Sequence, residues 1–253
     1  MITPFSVLDT RTKEWKKKKE EWIATYGIQS ELGRENTQSK TIFWDSPTNV
    51  SIFDPVLCEL MYDWFVPKGG KILDPFAGGS VRGIVAEEMG YKYVGIDLSL
   101  PQIIANQKQS EKPFWIHGDA DKELFHLKGD FDFVFTCPPY YDLEVYSDSP
   151  YDLSNMKEKQ FDDKLDSIIY KSSIKLKENR FFGIVVSEVR EPSTTGNYSI
   201  GGYRGLVHKT IRMCESHGLK FYNDMILFNS QHQASRVGKT YFDRNRKIPS
   251  VHQ

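Results

Sequence analysis

The sequence has little cysteine, and what it has is not arranged for chemistry that needs several thiols. Cys58, Cys137 and Cys214 show neither a C-x-x-C pair nor a Cys/His ligand spacing, which argues against a disulfide framework and a zinc site. Long apolar runs are missing too. No segment approaches the ~18 consecutive apolar residues of a membrane helix, and the opening MITPFSVLDTRTKEWKKKK lacks the apolar stretch of a secretory signal. The expectation is a soluble, cytoplasmic protein with no membrane contact and no bound metal. Net charge is nearly absent, at −1, so no global field draws the chain to a polyanion, and binding of that kind must come from local clusters. No internal repeat is found. With 39% hydrophobic and 26% charged residues, the chain reads as globular and not disordered. Its 253 residues suit one α/β domain with appendages.

What is present is organised around Lys71–Ser80, KILDPFAGGS. Lys71, Ile72 and Leu73 end a short buried strand, and Gly78, Gly79 and Ser80 open a helix whose Val81, Ile84, Val85 and Met89 recur at helical spacing. Such a junction either forms only a tight turn or lets a ligand approach bare backbone, with helix N–H groups pointing at it. A second strand, Tyr91–Ser99, carries Asp97, 19 residues after Gly78, near the ~20-residue offset at which a carboxylate reaches ribose hydroxyls. A third, Pro113–Ala120, contains Asp119, which either contacts a ligand or caps the helix that follows. A fourth, Phe131–Val134, runs on to Cys137, Pro138, Pro139 and Tyr140. Two prolines cannot continue a central strand, so it ends in a stiff loop.

The remaining pattern gives a helix over Asp54–Phe65, another over Asp163–Leu176, a fifth strand over Arg180–Val189, a helix over Leu206–His217 and a sixth strand over Leu219–Asn229. Residues 1–45 form an N-terminal appendage without a convincing strand, and residues 46–230 form the core. In the appendage, Arg11, Lys13 and Lys16–Lys19 read as the solvated face of a helix through Trp15 and Trp22. Arg82, just inside the glycine helix, reads as a surface or scaffold residue.

DPFAGG followed by GIDLS and CPPY resembles the S-adenosylmethionine-dependent amino-group DNA methyltransferases. Their cofactor motif is DPFxGxG, and their catalytic motif is Asp, Asn or Ser before Pro-Pro-Tyr or Pro-Pro-Phe. The likeness runs from about Ser51 to Asn229, and SIFDPVLCELMYDWF (Ser51–Phe65) resembles the segment that closes over the methionine end of the cofactor. The resemblance implies an α/β, Rossmann-like methyltransferase sheet with helices on both faces and, in the family, a seventh, antiparallel strand; the sequence stops about where that strand should begin. It implies cofactor contacts at Phe53, Asp54, Asp74, Pro75, Phe76, Ala77, Gly78, Gly79, Ser80, Asp97 and Asp119, and catalysis by Cys137, Pro138, Pro139 and Tyr140. Two departures stand out. Gly79 and Ser80 fill the positions of any residue and Gly, and Cys137 replaces the usual acceptor.

In that family the substrate is duplex DNA with the target base flipped out of the stack. An exocyclic amino group of adenine or cytosine is a poor nucleophile because its lone pair is delocalised into the ring. Acceptors on its two hydrogens turn the lone pair toward the methyl donor; here they would be the Cys137 side chain and the Pro138 carbonyl, with Tyr140 stacked on the base. Cys137 as a nucleophile on a ring carbon is the rival reading, weakened because it precedes the prolines. Arg236, Lys239, Arg244, Arg246 and Lys247 are candidate phosphate contacts, and segments 190–206 and 231–253 are candidate target-recognition surfaces. Methylation of RNA, or a catalytically weak cofactor-binding module, remain the alternatives.

Overall fold

The computed structural model describes residues 4–29, 38–39, 53–191 and 202–228. In chain order the elements are β1 (Val7–Asp9), α1 (Lys13–Tyr26), β2 (Gln38–Ser39), α2 (Pro55–Phe65), β3 (Lys71–Asp74), α3 (Val81–Glu88), β4 (Lys92–Asp97), α4 (Leu100–Gln109) and β5 (Phe114–His117). There follow α5 (Ala120–His126), β6 (Phe131–Thr136), β7 (Glu144–Val145), a 3-10 turn at Leu153–Asn155, α6 (Glu158–Ser173), β8 (Leu176–Ile184), α7 (Leu206–Ser216) and β9 (Ile226–Phe228).

Short apolar runs bounded by turn residues become the main sheet. Five parallel strands lie in the order β5-β4-β3-β6-β8, the Rossmann-like arrangement expected from the sequence. Every residue of β6 is buried, as a central strand covered on both faces requires. One face packs Val56, Tyr62, Val81 and Val85 from α2 and α3 against Phe133 and Phe135. The other packs Leu124, Phe161, Leu165 and Leu206 from α5, α6 and α7 against Leu73 and Val134. The chain leaves β3 in one direction through β4 and β5 and returns to β6 on its other side. The loops after β3 and β6 therefore flank a crevice at the carboxyl edge, the place where open α/β sheets hold ligands.

Several elements differ from the sequence expectation. The fifth strand begins at Leu176 and ends at Ile184; its exposed KENR segment looked unlike a strand, but charged residues are tolerated and protective on an edge. Lys177 and Arg180 lie 2.9 and 3.4 Å from the Asp132 carboxylate on β6. Among the described residues the expected sixth strand forms at Ile226–Phe228, which pairs in parallel with Val7–Asp9 and not with the main sheet. The N-terminal stretch thus holds a strand, with Leu8 buried. The basic face of α1 is solvated at Lys13, Lys16 and Lys17, while its opposite side is anchored: Trp15 is 2% exposed, and its Nε1 donates to Asp54 Oδ2 at 3.2 Å. Trp22 Nε1 donates to Glu59 at 2.6 Å, and Lys18 and Lys19 pair with Glu59 and Asp54. Lys18 and Lys19 thus neutralise Glu59 of α2 and its N-cap Asp54. Among the described residues the main sheet holds no antiparallel seventh strand. No helix among the described residues is long and apolar enough to cross a membrane.

Candidate active site

The turn after β3 is built around Gly78, whose φ of 53° lies in the left-handed region that favours glycine. Its N–H donates to Asp97 Oδ2 at 2.8 Å, while Asp97 Oδ1 accepts from Ser99 N–H at 2.8 Å. Asn106 Nδ2 donates to the Gly78 carbonyl at 2.7 Å. Asp97 therefore braces the turn from the end of β4. Gly95 lets this approach happen, because a Cβ there would meet the Tyr93 ring at 2.6 Å and Ala77 Cβ at 2.9 Å. Ser80 needs no glycine conformation: it sits at φ −66°, ψ −15°, fully buried, with its hydroxyl donating to Gln109 Oε1 at 3.1 Å. The departure from the family pattern is absorbed by helical backbone.

Asp74 is fully buried and joins both loops. Its carboxylate accepts from Arg82 Nε at 2.5 Å, Tyr93 Oη at 2.6 Å, Thr136 Oγ1 at 2.7 Å and Phe76 N–H at 3.1 Å. Burial pulls against the charge of Arg82, but the facing Asp74 carboxylate outweighs it and raises the guanidinium above its usual range. Burial, reinforced by Asp74, pushes Tyr93 well up. Arg82 also donates to the carbonyls of Phe76 and Ala77, at 2.5 and 3.0 Å. A residue that reads as surface or scaffold from the sequence is a buried cation at the centre of the site.

A cavity of about 370 Å³ opens between the two loops. Phe53, Pro75, Phe76, Ala77, Gly78, Gly79, Asp97 and Asp119 line it together with Cys137, Pro138, Pro139 and Tyr140. Of the residues the sequence nominated within the described region, Asp54, Asp74 and Ser80 stand behind the wall. Asp54 caps α2 through Val56 N–H at 2.9 Å and binds Trp15 and Lys19. Asp119 does two things: it caps α5 through Asp121 N–H at 3.2 Å, and it pairs with Lys164 at 2.9 Å on the cavity wall. Arg236, Lys239, Arg244, Arg246 and Lys247 lie outside the described residues, as does most of the 190–206 segment.

On the second loop Cys137 Sγ lies 3.4 Å from Tyr140 Oη, which also reaches the Val185 carbonyl at 3.4 Å. The aromatic ring is thereby held from the end of β8. The next residue, Tyr141, has φ 53°, uncommon and strained for a bulky side chain. Its ring is clamped by Arg204 at 3.7 Å and Phe161 at 4.4 Å. Its hydroxyl donates to Asp162 at 3.0 Å and accepts from Lys209 Nζ at 3.1 Å. Burial, against the opposing bond from Lys209, pushes Tyr141 up to about 12. Sequence reasoning missed Tyr141, Thr136 and the far wall formed by Leu143, Tyr146, Tyr151 and Lys164. The doubled tyrosine after two prolines was the one available signal. Chemically, the cavity brings a carboxylate and a glycine turn on one side together with a proline pair, a cysteine and an aromatic ring on the other.

No protein-family model matches the chain, and no curated protein matches it. Solved structures resemble it at low identity. TrmN from Thermus thermophilus is 14% identical over 53% of this chain, with a TM-score of 0.40. A TehB-like SAM-dependent methyltransferase from Corynebacterium glutamicum is 16% identical over 62% of this chain and 71% of its own, with a TM-score of 0.42. The 16S rRNA N2 G1207 methyltransferase RsmC of Thermus thermophilus is 20% identical over 55%, with a TM-score of 0.41. The chain spans only 38% and 36% of the two Thermus proteins.

Proposed function

We propose that the chain transfers a methyl group from S-adenosylmethionine to an exocyclic amino group of a base in duplex DNA, adenine N6 or cytosine N4. The observation that carries this reading is one cavity that joins the Gly78 turn and Asp97 to the Cys137–Tyr140 loop. Its size, about 370 Å³, falls in the range of small-molecule sites, ~300–1,000 Å³. Asp97 would take ribose hydroxyls from its place on the cavity wall, where its carboxylate already accepts the N–H groups of Gly78 and Ser99. Bare backbone at Gly78 and Gly79 would let the ligand lie against the start of α3. When bound, the cofactor supplies a sulfonium whose methyl group is the electrophile.

The second loop would handle the acceptor base. The Pro138 carbonyl and the Cys137 sulfur would be the acceptors for amino hydrogens, and Tyr140 would offer its ring to the plane of the base. A thiol is a weak acceptor, so the carbonyl and the ring would do most of the positioning. Phosphate contacts would come from Arg236, Lys239, Arg244, Arg246 and Lys247.

The deciding experiment is transfer of a radiolabelled methyl group to duplex DNA and, separately, to RNA, followed by nucleoside digestion and mass spectrometry. N6-methyladenine or N4-methylcytosine in DNA is expected. Label confined to RNA, 5-methylcytosine, or cofactor binding without transfer would each overturn the reading in favour of a named alternative.

A further inference from the structure

The side chain of Arg82 is 4% exposed, yet its hydrogen-bonding capacity is only partly used. A guanidinium carries five N–H donors. Nε is taken by Asp74, and Nη2 by the carbonyls of Phe76 and Ala77. Among the described residues Nη1 has no hydrogen-bond partner. It is not sealed in the interior either: among the described residues the fully enclosed side-chain polar atoms without a partner are Trp64 Nε1 and Ser172 Oγ. Nη1 therefore keeps accessible surface, and Arg82 is a wall residue of the cavity.

We infer that Arg82 is an anion-binding residue of this cavity, with Nη1 taking the α-carboxylate at the amino-acid end of the cofactor. The inference rests on the cofactor reading above and extends it to one contact. Three features favour an anion at this point. Asp74 does not use up the cation, because its carboxylate is shared with Tyr93, Thr136 and the Phe76 N–H. Arg82 sits in the first turn of α3, where Ser80 makes no side-chain cap bond, so the positive end of the helix adds to its field. The Phe53 ring lies over the guanidinium, 4.3 Å from Cζ, and shields it from water, which strengthens a charge-assisted hydrogen bond. The two charged groups then divide the ligand between them: Asp97 suits hydroxyls, Arg82 suits a carboxylate, and a cationic sulfur is repelled from the Arg82 end.

The test compares S-adenosylmethionine with its decarboxylated analogue, which keeps the nucleoside, the sulfonium and the amine. By calorimetry the wild-type protein should bind the intact compound at least about tenfold more tightly, or ~1.4 kcal/mol. In Arg82→Lys, checked for folding by circular dichroism, that preference should fall below about threefold. A purely structural role for Arg82 would weaken both ligands alike and leave the preference intact, which would overturn the inference, as would equal affinities in the wild type. Should Arg82→Lys fail to fold, arginine Nη nitrogen NMR on the wild type replaces it: one buried guanidinium signal should shift with the intact compound and not with the analogue, and the same shift with both would overturn the contact. Absence of binding by either compound would instead sink the cofactor reading, and this inference with it.

Discussion

Thr136 Oγ1 donates to Asp74 Oδ1 at 2.7 Å across 62 residues of sequence. The bond joins the last residue of β6, immediately before Cys137, to the last residue of β3, immediately before Pro75. The glycine turn and the proline loop are thus fixed to each other through one buried carboxylate, and the width of the crevice between them follows from it.

Thr136→Val keeps the shape of the side chain and removes this donor. It should destabilise the protein by about 1–2 kcal/mol, since it leaves a buried acceptor short of one partner. Urea unfolding measures that loss. Methyl transfer should fall with it while cofactor affinity changes little; an unchanged rate in a protein of reduced stability would show that the two loops need no bond between them.

Asp97→Ala should weaken cofactor binding by about 10- to 100-fold, the equivalent of ~1.5–3 kcal/mol for a lost charged hydrogen bond, and should leave DNA binding nearly unaltered. Because Asp97 also braces Gly78, part of the loss would be a loosened turn. Asp97→Asn separates the parts, as it retains an acceptor but not the charge. Calorimetry that finds full affinity in a folded Asp97→Ala would remove this residue from the site.

How far the site could be read from sequence depended on how local its causes are. Gly78 and the Pro138–Pro139 pair impose backbone geometry on their own neighbours, so the turn and the stiff loop were legible directly. Arg82 was not, since its burial depends on a carboxylate that the turn folds back against it. The same applies to α1, whose Trp15 and Trp22 find their acceptors, Asp54 and Glu59, 39 and 37 residues away. Edge strand β8 was misplaced because its first half is charged and exposed, the opposite of the buried pattern used to find strands.

That edge gives a pH dependence. Burial raises the Asp132 carboxyl, but bonds from Lys177, the Lys71 N–H and Arg180 outweigh it and hold the group below its ordinary 3.8. A carboxyl lowered by folding stabilises fully above its unfolded value and loses that contribution as pH falls through the lower folded one. Asp132→Asn should therefore unfold at lower urea than wild type near pH 7, and the gap should narrow as the pH is taken below 3.8. A gap that stays constant from pH 7 to about 3 would assign the effect to packing and not to charge.

Cys137→Ser should retain methyl transfer, because serine preserves an acceptor at the position and the Pro138 carbonyl is untouched. Tyr140→Ala should lose far more, about 10²-fold, through poor placement of the base. Incubation with cofactor and 5-fluorocytosine DNA should leave no covalent adduct. A stable adduct that disappears in Cys137→Ser would instead make the cysteine a nucleophile.

The parallel pairing of Val7–Asp9 with Ile226–Phe228 also sets an order of events at the ribosome. Thr10 bonds to the Phe228 carbonyl 218 residues later, so once made β1 waits on the order of 10–40 s for its partner at ~5–20 residues per second. During that interval its backbone donors are unmatched and Leu8, buried in the finished fold, has no completed core to enter, which leaves β1 open to a chaperone until β9 arrives.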